Sequence, residues 1–174
     1  MLNYLDSKFI TSDRMFLQTN ILENEFVKQK EIEETMNLID TISFDAVSFK
    51  LEKEYMWSRE AINRALPLYK QWLALQKHYP HLSFAPSELV DEYWHMHILD
   101  TRKYMEDCAL IFHKYLHHYP YFGLTQDENE DTLKDGFELT KKLYLYHFNH
   151  ANLGMGDFKS AACGCRSGNG GSCR

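Results

Sequence analysis

At 174 residues the chain is long enough for one domain with a real core and too short for two full ones. Its 44% hydrophobic and 25% charged residues are ordinary for a soluble globular protein. A formal net charge of -6, spread over short mixed clusters, argues against non-specific nucleic-acid binding, which needs a basic face. No apolar run approaches the ~20 residues of a membrane span, and residues 1–10 carry Asp6 and Lys8 where a secretion signal would be apolar. The expected location is the cytoplasm. There, Cys108 and the crowded Cys163, Cys165 and Cys173 are reduced thiols or metal ligands rather than a disulfide framework.

Between the four prolines at 67, 80, 86 and 120 the periodicity is helical, and no alternating strand run occurs. A first helix is predicted from about Asp13 to Ile39. Leu17, Ile21, Phe26, Met36 and Ile39 form its interrupted apolar stripe, and Glu23 to Glu34 supply a solvated face. A second covers Phe44 to Glu54. A third starts at Ser58 and is kinked or ended by Pro67, which removes a donor and clashes one turn back. The stripe resumes with Leu68, Trp72, Leu75 and Tyr79. Ser87, an N-cap followed by Glu88 and Asp91, opens a central helix that runs to about His117 and closes before Tyr119-Pro120. After an acidic loop a last helix spans about Thr132 to His150, with Leu133, Phe137, Thr140, Tyr144 and Phe148 inward. From Gly154 the Gly/Cys-rich composition cannot bury a core and reads as a flexible tail, dispensable for folding. The prediction is an all-α bundle of about five to six helices. It divides into an N-terminal helical extension (1–43), a helical domain (44–153) and a disordered Gly/Cys-rich C-terminal tail (154–174).

Five of the nine histidines (His95, His97, His113, His117, His118) fall within residues 91–118, among several acids and aromatics. Imidazole and carboxylate are the common ligands of transition metals, and imidazole is the usual proton carrier at neutral pH. On a helix each residue advances ~100°, so positions 95 and 97 diverge by ~200° while 91 and 95 differ by only ~40°. His97 therefore lies with Trp94, Tyr104, Cys108 and Ile111 on the core face. Asp91 and His95 share another face, from which they can hold one ion together with ligands from a different helix. His113 and His117 make a second i,i+4 pair, ~27 to 33 Å from the first along a straight helix, so the pairs cannot form one site unless the helix breaks.

Each residue also has a structural reading. His97 can be a core histidine bonded to a neighbouring acid or hydroxyl, and Asp91–His95 a simple helical pair. His113, His117 and His118 suit the helix C-terminal dipole. Cys108 reads as an inert buried thiol.

The run from Tyr69 through Pro86 to Gly123 resembles the glycine-rich domain-containing protein-like family. The resemblance rests on Asp91, Trp94-His95, His97-Ile98-Leu99, Tyr104, Cys108 and His117-His118 before Pro120. It implies an all-helical domain with a low-complexity end and brings no activity or cofactor with it. Three functions stay open. One is binding of a divalent transition metal (zinc, iron or manganese) by Asp91 and His95. Another is a protein-interaction module with structural histidines, whose partner the sequence does not name. The third is an enzyme using His97, Tyr104 and Asp100 for proton transfer.

Overall fold

A computed structural model describes residues 26–125 and 129–153. Among these residues there are six helices and no strand: α1 (Gln29–Asp40), α2 (Asp45–Glu54), α3 (Arg59–His78), α4 (Glu88–Leu99), α5 (Thr101–Phe112) and α6 (Glu130–Phe148). The chain is the all-α bundle that the periodicity predicts. The predicted helical turns before Phe26, and the tail with Cys163, Cys165 and Cys173, lie outside the described residues.

The bundle is organised around α3, because that helix is apolar over most of its circumference. Ile62, Ala65, Leu68, Tyr69, Trp72, Leu73, Ala74 and Leu75 are all buried, and α1, α2 and α4 pack against them. Ser58 starts α3 by accepting from the Ala61 N–H at 3.1 Å, a side chain taking up one of the orphan donors of the first turn. Of the kink or stop expected at Pro67, the stop does not occur, since α3 continues to His78. Pro67 and Asn63 both lie on the exposed face, so the carbonyl that loses its donor is solvated and the interruption is tolerated. Helix α1, placed by sequence in the N-terminal extension, buries Ile32, Thr35 and Ile39 in the same core.

One prediction about length is corrected. The single helix expected from Ser87 to about His117 is two helices. At Asp100 the backbone leaves helical geometry (φ -84°, ψ 71°), so this residue caps the end of α4 and the start of α5. Its carboxylate accepts from the Lys103 N–H at 3.4 Å. His113 then ends α5 in the left-handed conformation (φ 58°).

A polar seam closes the bundle between the residues before α1, the end of α3 and α6. The Val27 N–H donates to the Tyr79 hydroxyl at 3.1 Å, which leaves that hydroxyl's hydrogen for Nε2 of His147 at 2.7 Å. His147 Nδ1–H donates to Gln29 Oε1, and Gln29 Nε2 returns a bond to the His147 carbonyl, both at 3.1 Å. The ring of Phe26 stacks on Tyr146 at 3.6 Å. With both ring nitrogens engaged in this way His147 is held neutral. Burial, and then the nearby His78, push its pKa down from 6.5 to about 4.

The sign of the resulting pH dependence follows directly. The unfolded chain takes up the His147 proton near 6.5 and the folded chain only near 4, so stability is complete above pH 6.5 and falls as pH drops towards 4. His78 and His95 are shifted in the same direction, both mainly by burial. We therefore expect urea midpoints to decline between pH 6.5 and 4, and His147→Gln to flatten that decline without abolishing it. Equal slopes in the two proteins would show that His147 is not held neutral by the seam.

Candidate metal centre

Ser87 caps α4 by accepting from the Val90 N–H, which fixes the first turn and sets Asp91 one turn above the helix start. Asp91 and His95 lie on one face, with His95 Nδ1 3.5 Å from Asp91 Oδ2. The Asp91 side of this face is covered, leaving the residue only 6% exposed. Among the described residues no lysine or arginine pairs with this carboxylate.

A third group reaches the same carboxylate from downstream. After the break at Asp100, α5 folds back against α4, and the segment beyond His113 turns again so that His118 Nε2–H donates to Asp91 Oδ1 at 3.2 Å. The imidazoles of His95 and His118 tilt over one another with centroids 4.5 Å apart, and Trp94 supports His118 at 4.7 Å. Asp91, His95 and His118 each offer one ligand atom within 4.8 Å of the others. Burial pushes the pKa of His95 down, with Asp91 opposing and His118 reinforcing the shift, so this imidazole is unprotonated at neutral pH. The two imidazoles reach different carboxylate oxygens, His95 towards Oδ2 and His118 towards Oδ1.

His97 points away from this face, as its angle around the helix dictates. It is 1% exposed and sits in a polar chain of its own. The Tyr69 hydroxyl donates to Nδ1 at 2.8 Å, and Nε2–H donates to Asp107 at 3.0 Å. Asp107 also receives Lys103 Nζ at 2.8 Å. Burial works against the Asp107 charge, but the hydrogen bonds from His97 and Lys103 outweigh it and hold its pKa below the usual value. Nearby, Trp94 Nε1 donates to the Tyr104 hydroxyl at 2.9 Å, which donates onward to the Leu116 carbonyl at 2.6 Å. Both His97–Asp107 and Trp94–Tyr104 span ten residues, which would stand ~15 Å apart on a continuous helix. They are the hydrogen bonds that pair α4 with α5.

Beside the three-ligand cluster a cavity of about 210 Å³ opens. Its lining mixes the rings of Trp72, Phe84, Trp94 and Phe122 with the polar groups of Gln76, Ser83, Asp91, His117 and His118. Phe122 sits where it does because Gly136 of α6 lacks a side chain. A Cβ there would lie 3.0 Å from the Phe122 ring.

The sequence matches the UCP032817-like family over residues 34–144, most of the described bundle and every residue of the site. The chain belongs to the UCP032817-like family. The resemblance to the glycine-rich domain-containing protein-like family is thereby corrected, since nothing found points to that family. The UCP032817-like family is uncharacterised, so membership brings no chemistry with it. No curated protein and no solved structure matches the chain. No helix among the described residues is long and apolar enough to cross a membrane.

Of the residues considered for proton transfer, His97 and Tyr104 meet edge-on with ring centroids 5.0 Å apart, but each polar group is engaged elsewhere. The Tyr104 hydroxyl is spent on Trp94 and Leu116, and burial pushes its pKa far upward. Asp100 caps α5 at the surface, and His97 is enclosed with Asp107. The proposed i,i+4 pair of His113 and His117 does not form, because the helix ends at Phe112. His118, which sequence placed in a helix-end cluster, is the group that joins Asp91 and His95. Cys108 is buried against Tyr104 and its pKa is raised by burial, so the thiol stays protonated.

Replacing Tyr104 by Phe removes the acceptor of a buried indole N–H and the donor to a partly buried carbonyl. Urea melts should show a loss of about 1–3 kcal/mol, the cost of orphaning buried polar groups. A loss within error would mean that water replaces the hydroxyl and that the α4–α5 pairing does not depend on it.

Proposed function

We propose that the chain binds one divalent transition metal through Asp91, His95 and His118. The observation that carries this reading is the state of Asp91. It is a buried carboxylate whose charge is met by two imidazoles and, among the described residues, by no lysine or arginine. Burying a charge without a fixed counter-charge is costly, and a dication that replaces the shared hydrogen bonds removes that cost. Asp107 supplies the internal contrast, since Lys103 already provides its cation.

Two imidazoles and one carboxylate leave coordination positions for water or a ligand, which is the pattern of reactive rather than structural metal sites. This donor set suits zinc, iron or manganese. The unprotonated state of His95 at neutral pH favours capture, because ligands must shed their protons to bind.

The test is elemental analysis of untagged protein after zinc loading. It uses the full chain with Cys163, Cys165 and Cys173 changed to serine, so that thiols outside the bundle contribute nothing. One equivalent of zinc is expected. His118→Ala, His95→Ala and Asp91→Asn should each weaken binding by at least about 100-fold, beyond the 10–100-fold typical of outer-shell losses. Cys108→Ala should leave zinc content unchanged. Stoichiometric zinc in an Asp91→Asn/His118→Ala double variant would sink the assignment.

A further inference from the structure

One hydroxyl holds two of the supports of His118, the group that completes the cluster with Asp91 and His95. His118 lies beyond the end of α5 at Phe112, in a stretch without helix, where the backbone alone does not fix a side chain. Besides Asp91, two contacts place it. Its backbone is held two positions upstream, where the Tyr104 hydroxyl donates to the Leu116 carbonyl at 2.6 Å. Its imidazole is backed by the indole of Trp94, with ring centroids 4.7 Å apart. Both contacts lead to the same atom, because Trp94 Nε1–H donates to that Tyr104 hydroxyl at 2.9 Å.

The Tyr104 hydroxyl has little freedom to do otherwise. The residue is buried, and its ring meets His97 edge-on at 5.0 Å and Tyr115 edge-on at 5.1 Å. An indole N–H can only donate and a carbonyl can only accept, so the direction of both bonds is set by the groups themselves. The bond from Nε1 in turn fixes the rotation of the Trp94 ring beside His118. Trp94 stands on α4 next to His95, so the backing of His118 and the side chains of Asp91 and His95 ride on one helix. A ligand that is ordered only on binding subtracts its ordering cost from affinity, and one already held in place does not.

We propose that Tyr104 is a positioning residue of the metal centre. By holding the Leu116 carbonyl and the Trp94 indole together it keeps His118 in place to bind, and it sets the metal affinity without touching the ion. The inference rests on the metal-binding reading above and adds the regulation of that site's affinity. The bond between His97 and Asp107 supplies the contrast. It spans the same ten residues between α4 and α5 and is buried as well, but its further partners are Tyr69 and Lys103, which stand apart from the cluster. Both cross-links join the two helices, and the one through Tyr104 carries on to His118.

The measurement is zinc affinity by competition with a chromogenic chelator. It uses the full chain with Cys163, Cys165 and Cys173 changed to serine, at a temperature where circular dichroism shows each variant folded. Tyr104→Phe should still take one equivalent of zinc but bind it at least about ten-fold more weakly, the lower end of the range for groups outside the ligand set. In a His118→Ala background the same substitution should change affinity by less than about two-fold, because a residue that acts through His118 then has nothing to act on. Asp107→Asn, which weakens the other cross-link, should lower stability and leave zinc affinity unchanged. Where Tyr104→Phe does not fold, Trp94→Phe takes its place in the same cycle, since it keeps a ring beside His118 and removes the indole donor. Three results overturn the inference and leave the metal reading intact: zinc affinity unchanged in Tyr104→Phe, an equal loss with and without His118, or an equal loss in Asp107→Asn. A parent chain that holds no zinc overturns the metal reading, and this inference falls with it.

Discussion

At Asp100 one helix ends and another begins within a single residue, and the geometry of the site follows from that change of direction. On an unbroken helix Asp91 and His118 would stand ~40 Å apart. The break lets α5 lie against α4, so that His97 reaches Asp107, Trp94 reaches Tyr104, and the chain beyond His113 returns to the face that carries Asp91 and His95. The helix gives up the continuing backbone bonds of about one turn. In exchange, the Asp100 carboxylate accepts one of the freed donors and two buried side-chain bonds form between the arms. Those bonds are buried, which fixes the register of α5 on α4 and therefore the position of His118.

The two buried aspartates of this hairpin show how the same residue type is put to different uses. Asp107 is closed off by His97 and Lys103, with the lysine also lying 5.7 Å over the Phe44 ring. Its needs are met within the protein, and it functions as a strut between helices. Asp91 faces two imidazoles beside a cavity. No lysine or arginine among the described residues completes its pairing, as Lys103 does for Asp107.

The all-helical class was legible because hydrophobic periodicity reports burial directly. Trp94, Tyr104, Cys108 and Ile111 are buried as a 100° rotation per residue requires, and the angle between positions 95 and 97 separates the two histidines onto different faces. The same rule misled at Asp100, because a core stripe that continues in phase across a break looks like one helix. The signal was present in Asp100-Thr101, an N-cap pair in mid-stripe, but aspartate there is equally at home on a solvated helix face. His118 was unreadable for the same reason: its partner is set by a turn, not by a period. At Pro67 the helix runs on to His78, so of the kink or stop expected there only the stop is overturned.

The distances along the chain over which the bundle's polar contacts close differ widely, and this bears on how the protein assembles. Asp91, His95 and His118 come from 28 consecutive residues, and the Asp91–His118 contact closes a separation of 27. The Gln29–His147 bonds close one of 118. With a closure entropy that grows as (3/2)RT ln n, the longer loop costs about 1.3 kcal/mol more than the shorter. The α4–α5 hairpin is thus the part that a newly made or partly opened chain can organise from local contacts, and the seam at His147 is the part that must wait for both ends. The Asp91, His95 and His118 cluster therefore lies in the short segment whose contacts are the more local ones.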